Sequence, residues 1–196
     1  MSWVILIGVL LFSLITGFAS VGSVACLIDT EQNLNNGFTT ANSWQRTTLL
    51  NDSFEGDPWD VNWNDNGNTT WQQASDKSYS GSCSAASTEV YFGNLTTDNP
   101  DASSAHWIHV SFWFYPDAVK NNDVRIQIYN GSTYDTWYDM KNYPGFRNGE
   151  WCYFSELVWD SQYFKSDFRL RFNSSGFDEN ERFYLDDVLI EKLVLP

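Results

Sequence analysis

The chain opens on an unbroken apolar run. From Ser2 to Ile28, SWVILIGVLLFSLITGFASVGSVACLI, no side chain ionises except the thiol of Cys26. About 20 apolar residues are enough to cross a bilayer as a helix, and Leu, Ile, Val and Phe fall on every side of this one. Gly8, Gly17 and Gly22 would let a neighbouring helix approach closely. Up to residue 50 the apolar positions thin out to Leu34, Phe38, Ala41 and Trp44 at roughly helical spacing, with a break expected near Gly37. From Asn51 the texture changes. In AHWIHVSFWFY, Ile108, Val110, Phe112 and Phe114 alternate with His109, Ser111 and Trp113, the period-two signature of a half-buried strand. DVRIQIY repeats it with Val124, Ile126 and Ile128. DFRLRFN does so with Phe168, Leu170 and Phe172, leaving Arg169 and Arg171 on the solvent face. RFYLDDVLIEKLVL closes the series, and NGST and NYPGFRNGE mark turns. The pattern predicts an α+β layout: a long hydrophobic α-helix over 1–48, then an all-β antiparallel jelly-roll sandwich over 51–196.

Charge and composition narrow the partners. With 25 Asp and Glu against 11 Lys and Arg, the net charge is −14, which excludes nucleic acid as a partner because phosphates need cations. Aromatics make up 17% of the chain, too many for a disordered segment and enough for a packed β core. Among them Trp59, Trp63, Trp71, Trp107, Trp113, Trp137 and Tyr134 are candidates to stack on sugar rings, although most aromatics in a sandwich pack inward. Cys83 and Cys152 are expected to pair if the domain is exported. Five Asn-x-Ser/Thr sequons, at Asn51, Asn68, Asn94, Asn130 and Asn173, fit a glycosylated, extracellular domain. No catalytic motif stands out. His106 and His109 sit at odd spacing on one expected strand, and there is no phosphate loop, nucleophile elbow or metal-protease motif. The chain is read as a non-enzyme.

The segments NDSFEGDPWDVNW, SYSGSCSAAS and RFYLDDVLIEK, in that order, resemble the jelly-roll domains of calcium-containing carbohydrate-binding modules over residues 51–194. The resemblance implies a structural calcium between the first and last strands. It would be held by Glu55 and Asp187, with Asp186 as the alternative carboxylate and backbone carbonyls near Ser78 completing the six to eight oxygens calcium takes. It also implies binding of surface glycans.

A second resemblance lies in the layout of residues 1–48: an apolar helix starting almost at the N-terminus, followed by a β domain, is similar to type IV pilins and archaeal flagellins. The first Lys or Arg of the chain is Arg46, so the basic region of a secretory signal is missing. Ile5 stands where bacterial pilins carry Glu, which brings the resemblance closer to the archaeal members. It implies a homopolymeric extracellular filament. Ile5, Gly8, Leu11, Phe12, Ile15, Gly17, Phe18 and Gly22 would pack in its core, after membrane contact before assembly. The alternative is a membrane-anchored, carbohydrate-binding adhesion protein at the cell surface.

Overall fold

The computed structural model describes residues 45–64, 71–175 and 177–195. The chain divides into two compact units, 1–39 and 40–196, and every described residue belongs to the second. That unit consists of two antiparallel sheets. The first contains β1 (Gln45–Asp52), β3 (Gln72–Ala74), β4 (Ser84–Thr88), β6 (Trp107–Asp117), β9 (Cys152–Val158) and β11 (Arg182–Val194). The second contains β2 (Trp63–Asn64), β5 (Asn94–Thr97), β7 (Val124–Tyr129), β8 (Tyr134–Asp139) and β10 (Leu170–Ser174). Their orders are β3-β4-β11-β6-β9, with β1 also on β11, and β2-β5-β10-β7-β8. β11 is long enough to serve two partners on one edge. Arg182–Leu185 pair with β4, and the stretch from Val188 onward pairs with β1.

The alternation read in the sequence places the core. Ile108, Val110, Phe112 and Phe114 of β6 are buried, as are Val124, Ile126 and Ile128 of β7 and Leu170 and Phe172 of β10. Phe112 is the joint between the layers. It stacks on Phe154 of its own sheet at 4.6 Å and meets Phe172 of the other edge-on at 5.1 Å. Trp71 wedges between Phe172 and Phe183 at 6.4 Å from each. Edge-to-face pairs of this kind add about 0.5–1.5 kcal/mol beyond the area they bury.

The α+β layout is corrected by these strands. The described residues contain no α-helix, only two 3₁₀ turns at Met140–Asn142 and Ser161–Tyr163, and they form an all-β sandwich. Gln45–Thr48, assigned from sequence to the end of a helix, instead pair with Val194–Glu191. The physical reason is tertiary. The β-branched pair Thr47 and Thr48 suits a pleated surface, and the far half of β11 would otherwise present a bare edge of unpaired N–H and C=O groups. The proposed filament-core residues Ile5, Gly8, Leu11, Phe12, Ile15, Gly17, Phe18 and Gly22 lie outside the described residues, and the filament and membrane-anchor expectations lie there with them.

Candidate functional site

Strand alternation sends one set of side chains of the second sheet outward. Arg171 of β10 stands between Thr96 of β5 and Gln127 of β7, and Asn64 of β2 lies beside Thr96. Tyr129 and Tyr134 face each other across the β7–β8 pair, with ring centroids 5.3 Å apart. Two arginines lie over these rings: Arg171 at 3.3 Å from the Tyr134 centroid and Arg169 at 4.6 Å from that of Tyr129. Between them is a cavity of about 260 Å³ lined by Asn64, Thr96, Asp98, Asn99, Tyr134 and the two arginines. It is a polar groove with planar walls. Asp135, the acid next to Tyr134, is turned to structural use. It accepts from Tyr163 Oη at 2.9 Å and from Asn130 Nδ2 at 3.0 Å, while burial, followed by that Asp135 contact, pushes the Tyr163 phenol up to about 12.

The outer face of the first sheet carries the aromatic surplus. Tyr79 stacks on Trp113 at 3.7 Å, Trp113 meets Tyr153 at 5.0 Å, and Trp151 meets Tyr115 at 5.6 Å. At the far end of this face Trp107 and Trp159 meet at 5.0 Å beside a cavity of about 540 Å³ that also includes Arg46, His109, Ser155 and Leu193. There Ser155 Oγ lies 2.9 Å from His109 Nε2, and His109 Nδ1 lies 3.3 Å from Glu191 Oε2. The connectivity is that of nucleophile, base and orienting carboxylate. The setting is not. Arg46 holds the same Glu191 oxygen at 3.1 Å, and Ser155 sits mid-strand opposite Ser111. Among the described residues no turn or helix start gathers N–H groups toward an oxyanion there. The row is a cross-strand hydrogen-bond chain. His106 precedes β6 and accepts from Leu195 N–H at 3.3 Å.

Of the seven aromatic candidates, Trp63 and Trp71 are core, and Trp59 and Trp137 pack against it. Trp107 and Trp113 lie on the outer face of the first sheet, and Tyr134 lies in the groove of the second. The groove arginines were legible only as a solvent-facing pair.

Glu55, Asp186 and Asp187 are each bonded to the loop between β3 and β4. Glu55 Oε1 accepts from the N–H groups of Ser82 and Cys83 at 2.8 and 2.7 Å. Asp186 is fully buried. Its Oδ2 accepts from Tyr79 N–H at 2.7 Å and Ser80 N–H at 3.1 Å, and its Oδ1 from Asp187 N–H at 2.8 Å. Asp187 Oδ1 accepts from the Ser80 hydroxyl at 2.9 Å. Burial raises the Asp186 carboxyl above its usual range even against its three N–H donors. The backbone is bent to suit, with φ +59° at Phe54 and +47° at Asp187, values that side-chain-bearing residues rarely adopt. As a calcium cage this donor set fits poorly. Both Asp186 oxygens already face N–H donors, and no group of three His, Cys, Asp or Glu is placed for a metal among the described residues. The three acids act here as a hydrogen-bonded latch.

The expected Cys83–Cys152 disulfide is also corrected: both are free thiols. Cys152 is level with Phe114, Phe114 with Leu185, and Leu185 with Ala85, two residues from Cys83. Three interstrand steps of about 4.8 Å separate them by roughly 14 Å, twice the Cα reach of about 7 Å that a disulfide allows. Among the sequons, Asn51 is exposed on β1, whereas Asn94 and Asn173 are half-buried and bonded to each other at 2.8 Å. Asn130 staples the β7–β8 turn through Thr133 and Asp135. Asn68 lies outside the described residues.

No family model matches the sequence, and no curated protein matches it. Solved structures do match. The CBM22-1 xylan-binding domain of Xyn10C from Paenibacillus barcinonensis is similar over 76% of this chain and 96% of its own, at 20% identity and a TM-score of 0.50. The N-terminal tandem CBM22-1–CBM22-2 domain of the same Xyn10C is similar over 79% of this chain and 47% of its own, at 20% identity and a TM-score of 0.51. A family 16 carbohydrate-binding module is similar over 72% of this chain and 97% of its own, at 18% identity and a TM-score of 0.53. At these identities the likeness is one of fold: the chain has the jelly-roll sandwich of carbohydrate-binding modules.

Proposed function

We propose that residues 45–195 form a non-catalytic carbohydrate-binding domain that works outside the cell, with its site on the outer face of the second sheet. The observation that carries this reading is the groove itself. Asn64, Thr96, Asn99, Arg169 and Arg171 offer donors and acceptors around the Tyr134 ring, on a fold shared with xylan-binding and other carbohydrate-binding modules. A saccharide needs this mixture, because its ring edges carry hydroxyls that must be paired while its C–H faces favour aromatic surface. The sequon at Asn51, exposed on β1, supports export. The alternative read from sequence, a glycan-binding adhesion protein at the cell surface, is thereby favoured over the filament subunit, which draws no support from the groove.

The test is affinity electrophoresis of the full chain through gels containing soluble polysaccharides, both neutral and charged. Retardation by at least one polymer is expected, and Tyr134→Ala should remove it without changing the near-ultraviolet circular dichroism of the core. Migration unaltered by every polymer, or retardation indifferent to Tyr134→Ala, would refute the assignment.

A further inference from the structure

The groove bears the wrong charge for this chain. Acids outnumber bases 25 to 11, yet three of the arginines, Arg125, Arg169 and Arg171, occupy outward positions on two adjacent strands or immediately before one of them. Arg125 and Arg169 have polar partners that hold them: Arg125 Nη2 donates to Asn122 Oδ1 at 2.9 Å, and Arg169 Nε donates to Asn99 Oδ1 at 2.6 Å. Arg169 also reaches Asp167 at 3.5 Å.

Arg171 differs. Among the described residues its one polar contact is Nε to Thr96 Oγ1 at 3.3 Å, and none of them forms an ion pair with it. Its guanidinium carbon lies 3.3 Å from the Tyr134 ring centroid, a distance at which the planar group stacks on the ring, and the side chain lines the cavity. A planar fork held by a ring and a hydroxyl is prepared for a planar, two-oxygen acceptor. Two acids near it are occupied, and a third shares the cavity. Asp135 is held by Tyr163 and Asn130, Asp139 accepts from the N–H groups of Asn122 and Lys141, and Asp98 lines the cavity wall.

We propose that the groove selects an acidic polysaccharide, with Arg171 forking the carboxylate of a uronic acid residue, Arg169 lending charge from the adjacent rung, and Asn64 and Asn99 pairing ring hydroxyls. The proposal rests on the carbohydrate-binding reading and adds the class of sugar. A carboxylate suits the site better than a sulfate ester. Arg171 offers one planar fork, whereas a sulfate's oxygens splay out of plane and ask for donors from several directions. Charge complementarity then has a second effect. The −14 surface repels polyanions generally, so an acidic polymer is held only where the arginines locally reverse the sign.

The experiment is isothermal calorimetry of the full chain with polygalacturonate, with the same polymer fully methyl-esterified, with neutral xylan, and with dextran sulfate. Polygalacturonate is expected to bind about tenfold or more tightly than its ester or xylan, and its affinity should fall with added NaCl. Arg171→Gln should erase the preference, and Arg171→Lys should keep part of it by retaining the charge without the fork. An unchanged melting temperature in both variants would show that the fold is intact. Equal binding of polygalacturonate, ester and xylan overturns the acidic selectivity and leaves the carbohydrate-binding reading standing. Tighter binding of dextran sulfate overturns the carboxylate assignment. Binding of none of the four overturns the proposal together with the reading beneath it.

Discussion

Asp186→Asn probes how the ends of the sandwich are tied. Asp186 receives three backbone N–H groups, two on Oδ2 and one on Oδ1. The isosteric amide has only one acceptor. Its best orientation keeps Oδ1 on Tyr79 and Ser80 and turns the NH₂ group against the N–H of Asp187, so one buried donor loses its partner. An unmade hydrogen bond of this kind costs about 1–3 kcal/mol, set against some relief from no longer burying a charge. For a domain of this size each kcal/mol moves Tm by about 2–4 °C, giving a fall of roughly 2–12 °C. Differential scanning calorimetry at pH 7 measures it. Asp187→Asn is the control. Among the described residues its carboxylate takes only the Ser80 hydroxyl, and Asn tolerates the positive φ at that position, so a loss under about 1 kcal/mol is expected. pH gives an independent check. Because burial raises the Asp186 carboxyl above its unfolded value, the native state retains a proton that the unfolded chain has released between the two values. Stability from this group therefore falls as pH rises through that window, and the penalty of Asp186→Asn should grow on acidification. An Asp186→Asn protein as stable as the parent at pH 7 would refute the reasoning, since it would mean that the Asp187 N–H loses nothing when an amide NH₂ replaces its acceptor.

Three further outcomes follow from the same geometry. With the latch closed by N–H donors, 1 mM calcium or excess chelator should leave Tm unchanged, while a calcium-dependent rise lost in Glu55→Gln would make Glu55 and Asp187 cation ligands. Because Cys83 and Cys152 are free, unfolding without reductant should expose both to iodoacetamide. Cys152, buried with its thiol pushed up by desolvation, should react slowly in the native protein, and a peptide map showing either thiol blocked by the other would contradict the fold. In a glycosylating host, glycan mapping should find Asn51 occupied and Asn130 unmodified. The Asn130 amide is spent on Thr133 and Asp135, so a glycan there would have to break the turn.

The long strands were legible because alternation survives over six or more residues. β6, β7 and the core positions of β10 all follow it. β2, β3 and β5, with 2, 3 and 4 residues, are too short to carry a period and form because longer neighbours offer them an edge. β1 was hidden for another reason: QRTTLL has no strong pattern of its own, and only pairing with β11 decides it. The resemblance singled out Glu55, Asp186 and Asp187 as calcium ligands, but Glu55 and Asp186 are taken by backbone N–H groups, which no sequence displays, and Asp187 by the Ser80 hydroxyl. The groove shows the same limit. Arg169 and Arg171 were read as outward, yet only the β5–β10–β7 register sets Arg171 over Tyr134.

The pairing of β1 with β11 also fixes how the domain carries load. Gln45 lies opposite Val194, so chain entering and chain leaving do so side by side at one end of the sheet. Tension between those two points would open the β1–β11 ladder one rung at a time, as a zip, rather than shearing all its bonds together. A module joined at both points hangs from its tether like a bead on a loop, presenting its groove while adding little length and yielding early under a steady pull.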